Sequence, residues 1–295
     1  MVRNVGGGAS PEEWFRSLPP ITRWYFATVL LLTAAASFGV ISPSQLTLDL
    51  PRLWQKFEVW RLPTSFAFFG GFSFPFLIQL YMLVQYSERY EASPFNTGGG
   101  GTTADYAWML AFGMMVMIAL ALVMPGLVLF GPSMVFMILY MWARKNPESP
   151  ASMFGFQLQA FYLPWALVAF HILIGAHARA RRAERRRREI ARSVSLSLAH
   201  TRIAHARAFA AGNSVFMPLL GIGVGHLYYF LVDVAPEQAG IDLIRTPAFV
   251  VEFFGGVPSG GANGRPPAHG ARSAPQQPRP QTGHNWGGGR VLGAN

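Results

Sequence analysis

The chain has 295 residues, of which 51% are hydrophobic and only 13% are charged, about half the charged share of a soluble globular protein. So few polar side chains cannot cover a water-facing surface, and the absence of cysteine excludes disulfides, cysteine-ligated zinc and thiol nucleophiles. The formal net charge of +10 comes mostly from residues 176–210, where ten arginines face two glutamates and no aromatic side chains interleave to stack on the bases of a nucleic acid.

Six apolar runs follow one another along the chain, and several approach the ~20 residues that a helix needs to cross a bilayer. They cover residues 21–42, 62–86, 106–124, 127–143, 154–175 and 215–234. We therefore predict an all-α membrane protein with six transmembrane helices. The predicted segments are an N-terminal segment (1–20), helices one to five (21–175), an Arg-rich insertion (176–210), helix six with its flank (211–254) and a disordered tail (255–295).

The residues before the first apolar run do not look like a cleavable signal peptide. Glu12 and Glu13 precede the run, and Pro19 and Pro20 abut it. We expect the first helix to act as an uncleaved signal anchor.

Glycine and proline interrupt two of the runs, at Gly70, Gly71 and Pro75 in the second and at Gly131 and Pro132 in the fourth. Membrane helices tolerate such residues where neighbouring helices satisfy the freed backbone groups. Both interruptions are therefore expected inside the bundle.

The pair Trp60-Arg61 stands just before the second run, after a loop that contains Trp54 and Phe57. An amphipathic loop of this kind can lie in the lipid headgroup layer, where Trp and Arg commonly mark helix ends. Two interpretations stay open for the pair, a membrane anchor and a more specific structural role.

Intramembrane polar residues mark two further places. Ser133, near the start of the fourth helix, suggests a nucleophile, although a serine hydroxyl does little without an adjacent base. In the sixth helix, Gly221 and Gly225 form a GxxxG face that permits close helix packing, and His226 follows directly. His226 is either a functional ionisable group or a hydrogen-bonded packing residue.

Residues 255–295 contain 11 glycines and 6 prolines with almost no aliphatic side chains. Such a composition buries too little apolar area to offset chain entropy, which predicts a disordered tail. Trp286 stands among glycines near its end, with no surrounding residues that could form a core. Trp286 is either without a role or a binding hook, and a flexible tether of about 30 residues favours the hook.

The chain carries an ordered set of motifs: Trp60-Arg61, SFPF at 73–76, ADYAWM at 104–109, GPSMVFMILYMWARKNP at 131–147, FYLPWAL at 161–167, GHLYYFL at 225–231 and RTP at 245–247. This set resembles the derlins, rhomboid-like membrane proteins of endoplasmic reticulum quality control. Apart from the Arg-rich stretch, the resemblance covers residues 12–253. It implies a six-helix rhomboid-like bundle in the endoplasmic reticulum membrane, with both termini in the cytosol and a role in retrotranslocation of misfolded proteins.

The resemblance also implies a pseudoprotease. Rhomboid proteases pair a GxSG serine with a histidine three residues before the sixth-helix GxxxG, whereas here Met134 follows Ser133 and Pro218 occupies the histidine position. We therefore expect no enzymatic activity and no cofactor. The alternative is an intramembrane serine protease that uses Ser133; a secondary transporter would need an internal repeat and paired intramembrane charges, which the sequence lacks.

The segment 286–293 is similar to the SHP box that some derlins carry in their cytosolic tail. The resemblance implies that Trp286, Gly287, Gly289, Leu292 and Gly293 bind the AAA ATPase known as valosin-containing protein. Physically, two apolar anchors on a glycine-rich backbone suit an extended segment in a groove. The other implied partners are misfolded protein clients, a ubiquitin ligase complex and the lipid bilayer. We expect no nucleic-acid partner.

Two features depart from the derlin pattern. Ser65 stands where the family usually has asparagine, and residues 176–210 interrupt what is normally a short loop between helices five and six. By the family topology the insertion would be lumenal, against the positive-inside tendency. It is either a lineage-specific loop or a retained intron in the gene sequence.

Overall fold

The computed structural model describes residues 10–124, 126–153, 155–173, 215–240 and 243–256, and most of them are helical. In chain order the helices are α1 (Pro11–Ser17), α2 (Pro20–Ser37), α3 (Pro43–Leu46), α4 (Leu50–Lys56), α5 (Arg61–Ala67), α6 (Phe74–Glu91), α7 (Thr103–Val123), α8 (Gly131–Lys145), α9 (Ala160–Leu173), α10 (Phe216–Ala239) and α11 (Ala248–Phe253). Helix α9 opens with a 3-10 turn, and α10 contains a π-helical stretch at Phe230–Val234.

The starts of several helices follow from local sequence. Ser10 and Glu13 form a reciprocal capping box at the start of α1, which satisfies two backbone N–H groups that have no partner inside the helix. At α6 the Ser73 hydroxyl accepts from the Phe76 N–H at 3.3 Å, and Pro75 lies in the first turn, where its missing N–H costs nothing.

Helix α8 is the centre of the bundle. Every residue from Ser133 to Ala143 is buried, and α8 contacts α5, α6, α7 and α10. A helix that is apolar on all sides is stable only when other elements surround it. The uninterrupted apolar run of the fourth predicted helix is therefore explained by its central position.

The all-α prediction misses one β-hairpin between α8 and α9. Strand β1 (Pro150–Met153) pairs antiparallel with β2 (Phe156–Gln159), with Pro150 opposite Gln159. Gly155 in the connecting turn has φ 87°, a conformation that side chains other than glycine rarely adopt. Strands of four residues are too short for their periodicity to stand out in the sequence.

The second predicted run does not form a single helix. It separates into α5 and α6 at Gly70, where φ is 102°; Gly71 is exposed between the two helices, and Pro75 is exposed in the first turn of α6. The expectation that this interruption lies inside the bundle is therefore wrong, because the chain leaves one helix and starts another there. Gly131 is buried, but it begins α8 rather than interrupting it.

Within the ranges that the structure describes, two helices are long and apolar enough to cross a membrane. They are α7, with 21 residues, and α10, with 24 residues. Helices α2 and α6 have 18 residues each but are less apolar. The mostly helical fold is confirmed, and the full set of six spans stays a prediction.

Candidate functional site

Arg61 is almost completely buried, with 1% of its surface exposed. Its Nη1 atom donates to the carbonyl oxygens of Ser44 at 2.6 Å and Thr47 at 3.0 Å, and its Nε atom donates to a carboxylate oxygen of Glu58 at 2.5 Å. Carbonyl groups at a helix end have no partner within the helix, and these two belong to α3 and to the residue after it. Arg61 therefore ties α3 to the start of α5.

The same loop presents large apolar side chains on its outside. Trp54, Phe57 and Trp60 are all exposed, and Phe57 has φ 52°, which is rare for a residue with a side chain and turns the chain between α4 and α5. Arg61 thus points inward while Trp60 points outward. This arrangement fits both interpretations of the pair, a structural role for Arg61 and a headgroup-layer position for Trp60.

Gly221 and Gly225 lie where α10 crosses α8, the most extensive helix–helix contact in the described chain. A Cβ atom on Gly221 would lie 2.1 Å from the Ser133 carbonyl oxygen, and one on Gly225 would lie 3.0 Å from Tyr140 Cδ1. Gly223, which lies between them in sequence, has open space around it. The GxxxG spacing therefore brings two backbones together on one face of α10.

Ser133 is buried at this crossing. Its hydroxyl donates to the Met217 Sδ atom at 3.5 Å, and a thioether is a weak acceptor that does not serve as a general base. The next residue, Pro218, is buried at the position where a rhomboid protease would have its histidine. The contact that the serine makes does not activate a nucleophile.

His226 lies 2.7 Å, through its Nδ1 atom, from the Tyr140 hydroxyl. Arg144 Nε donates to the same hydroxyl at 2.7 Å, so the hydroxyl is free to donate its own proton to Nδ1. The Arg144 guanidinium also lies 5.2 Å from the centre of the Phe161 ring and 5.3 Å from that of Tyr229. This contact joins α10 to α8, while His226 itself is exposed, and both interpretations of the residue stay open.

Sequence reasoning missed a buried carboxylate that caps α2. Glu91 accepts from the Ile21 N–H at 3.0 Å, the Thr22 N–H at 2.8 Å and the Thr22 hydroxyl at 2.7 Å. The Thr22 hydroxyl also contacts Ser87 at 2.8 Å, and Ser87 contacts the buried Tyr106 hydroxyl. The N-terminus of α2, which lacks a side-chain cap of its own, is thus capped by the last residue of α6.

A second buried carboxylate forms what we call the Asp105 clasp, made of Thr97, Gly99, Gly101, Asp105 and Thr246. One Asp105 oxygen accepts from the Thr97 hydroxyl at 2.9 Å, the Gly99 N–H at 2.9 Å and the Thr246 hydroxyl at 2.6 Å. The other accepts from the Gly101 N–H at 2.7 Å. The clasp joins the loop before α7 to the segment after α10, and these donors stabilise the buried charge.

Lys145, the last residue of α8, lies near the clasp. Its ammonium group donates to the carbonyl oxygens of Ser93 and Pro94, each at 2.6 Å, and to the Ser93 hydroxyl at 3.1 Å. Burial lowers the pKa of Lys145 below its ordinary value, and the negative charge of Asp105 opposes that shift. Lys145 therefore stabilises the chain that follows α6.

Within the described ranges, no group of three His, Asp or Glu residues could hold a metal ion.

Three predicted segments lie wholly or almost wholly outside the described residues. These are the Arg-rich insertion 176–210, the tail 255–295 after residue 256, and within that tail the SHP-box-like segment 286–293, with Trp286, Gly287, Gly289, Leu292 and Gly293.

The described residues form a helical bundle around the buried α8, with two helices that are long and apolar enough, by length and composition, to cross a membrane. The model of the Der1-like family matches residues 18–181. The chain belongs to the Der1-like family, which confirms the derlin resemblance.

Plant derlins are similar to this chain over most of its length. Derlin-1 of Arabidopsis thaliana is 34% identical over 248 residues, which are 82% of this chain and 76% of the relative. Derlin-1.1 of Zea mays is 33% identical over 267 residues, covering 89% of this chain and 93% of the relative. Derlin-2.1 of Zea mays is 30% identical over 254 residues, covering 82% and 86%.

Proposed function

We propose that this chain is a non-catalytic component of endoplasmic reticulum-associated degradation that helps misfolded proteins cross from the lumen or the bilayer to the cytosol. Membership of the Der1-like family carries this proposal. The chain would lie in the endoplasmic reticulum membrane with six spans and both termini in the cytosol.

The contacts between helix ends support this topology. The start of α2 meets the end of α6 through Glu91, and the end of α6 meets the start of α7 through Ser87 and Tyr106. Lys145 brings the end of α8 to the chain just after α6. Starts and ends that alternate at one side of the bundle are what consecutive spans of opposite direction produce.

The lengths of α2 and α6 support a mechanism in which the protein thins the bilayer. Each has 18 residues, which rise by roughly 27 Å at 1.5 Å per residue against about 30 Å for the hydrocarbon core, and each exposes apolar side chains such as Leu31 and Leu77. The hydrocarbon layer beside these helices would then be thinner than in an undisturbed bilayer. A thinner hydrocarbon layer lowers the cost of moving polar segments of a client across it.

In this proposal particular residues hold the parts together. Trp60 and Arg61 position the first loop, Gly221 and Gly225 permit the α8–α10 crossing, and His226 joins that crossing through Tyr140. Clients would contact the bundle and the thinned bilayer. A ubiquitin ligase complex would act beside it, and the ATPase would supply the pulling force.

A client chase tests the function and separates it from the protease alternative. We expect a misfolded membrane client to persist in cells that lack this protein and to be degraded again when the full chain or its Ser133→Ala variant is restored. The variant should work because the Ser133 hydroxyl contacts only a methionine sulfur among the described residues. Client turnover that does not change when the protein is removed would refute the proposed function. Loss of turnover with Ser133→Ala, in a variant of wild-type stability, would favour the protease.

The tail is proposed to recruit valosin-containing protein through Trp286 and Leu292. We expect the double variant Trp286→Ala/Leu292→Ala to lose at least thirtyfold in affinity for the ATPase, because truncating an anchor side chain commonly costs ~2 kcal/mol or more. Titration of the ATPase onto purified protein in nanodiscs measures this loss. His284→Ala, just outside the motif, serves as the matched control and should bind as the wild type does. Equal affinity of the double variant and the control would show that the segment is not the ATPase site.

A further inference from the structure

Helix α11, after the sixth predicted span, is held at the beginning of α7. The Thr246 N–H donates to the Thr97 carbonyl oxygen at 2.7 Å, and the Thr246 hydroxyl donates to Asp105 in the first turn of α7. Helix α11 begins two residues after Thr246 and contacts α7. Its position relative to the first turn of α7 is therefore determined by a buried polar contact.

Helix α11 has two opposite apolar faces. Val251 is 1% exposed and lies on the protein side, whereas Phe249 and Phe253 are 69% and 83% exposed. The two phenylalanines are four residues apart, so their rings lie on the same face, and both are more than a third of a turn away from Val251. A helix end in water would present polar side chains in their place.

The exposed apolar side chains of α11 resemble those of a helix that faces lipid. Met115, near the middle of α7, is 54% exposed, as expected where a spanning helix faces acyl chains. Because α11 is clasped to the first turn of α7, its phenylalanines lie at the level where that span leaves the hydrocarbon. Two charged residues are also exposed: Arg245, which lies before the start of α11, and Glu252, which lies within it. Charged side chains at these positions suit the lipid headgroup layer.

We propose that α11 is an interfacial helix whose Phe249 and Phe253 side chains insert into the membrane leaflet at the start of α7. The partner of this face is lipid, at the boundary between the headgroups and the acyl chains. The inference rests on the proposed span of α7. It assigns a membrane contact to the segment that leads into the tail.

Depth measurements by electron paramagnetic resonance test the proposal directly. The chain contains no cysteine, so a single cysteine carrying a nitroxide label can be placed without removing native residues. Three full-length variants in proteoliposomes are needed: Phe253→Cys, Met115→Cys as the mid-span control and Glu148→Cys as an exposed control in the loop before β1. Collision rates with oxygen, which concentrates in lipid, and with a water-soluble nickel chelate report the depth of each label.

We expect the Phe253 label to lose most of its nickel collisions relative to Glu148 and to gain oxygen collisions, with a depth between those of the two controls. Frequent nickel collisions at Phe253 while Met115 is protected would overturn the proposal and leave the span of α7 intact. Low collision rates with both reagents would also overturn it, since protein rather than lipid would then cover the face. Frequent nickel collisions at the Met115 label would refute the proposed span of α7, and the interfacial helix with it.

Discussion

Replacing Gly221 by leucine is expected to destabilise the protein by about 3 kcal/mol or more. The Cβ atom alone would lie 2.1 Å from the Ser133 carbonyl oxygen, which is a backbone atom that cannot rotate away. Overpacking a well-packed site commonly costs ~1–3 kcal/mol, and here the two helices themselves must separate. Thermal unfolding of the purified variant in detergent measures the loss, and client degradation should fall with it.

Gly223→Leu is the matched control, because it puts the same side chain on the same helix at a position with nothing within 4 Å of a Cβ atom. Its stability should remain close to that of the wild type. Gly225→Leu should fall between the two, since its Cβ atom would meet the Tyr140 ring at 3.0 Å and a side chain can adjust. Equal stability of the Gly221 and Gly223 variants would show that α8 and α10 do not need this approach.

Removing the Asp105 carboxylate is expected to destabilise the protein by about 3 kcal/mol or more. Asp105→Ala leaves two backbone N–H groups without their acceptor and leaves the Thr97 and Thr246 hydroxyls, which lie 2.6 Å apart, with only each other, and each unsatisfied donor costs ~1–3 kcal/mol. The segment after α10 would also lose its attachment to the loop before α7. Limited proteolysis should then cleave near Thr246 faster than in the wild type, and unfolding in detergent reports the loss of stability.

Asp105→Asn is the graded variant, because its amide oxygen can keep three of the donors while the amide nitrogen faces the Gly101 N–H. Its loss should be smaller than that of alanine. Glu148→Ala removes an exposed carboxylate and should change little. If Asp105→Ala is as stable as Glu148→Ala, the clasp does not hold the fold together.

The GxxxG face shows how far a sequence pattern reaches. The spacing of Gly221 and Gly225 indicates close approach to some helix, because only glycine leaves room for a second backbone on one helix face. The pattern does not name the partner. The structure shows that α8 is that partner, and that the Ser133 carbonyl oxygen and the Tyr140 ring are the groups next to the two glycines. This pairing depends on how the helices are arranged around a common core.

The two buried carboxylates were missed for a related reason. Glu91 and Asp105 lie at helix ends, where acidic residues are common and usually exposed, as Glu88 is on the same helix as Glu91. Their donors include Thr22 and Thr246, which are far away along the chain. A local pattern carries no information about such partners.

Apolar composition by itself predicted a helical membrane protein, and the ordered motifs determined its family, because both follow from the identity of residues and their local order. The division of the second run at Gly70, the β-hairpin after α8 and the attachment of α11 to Asp105 were decided only by tertiary structure. Each of these depends on which backbone donors and acceptors find partners once the helices pack. Buried polar groups must be satisfied in three dimensions, and partners distant in sequence can satisfy them.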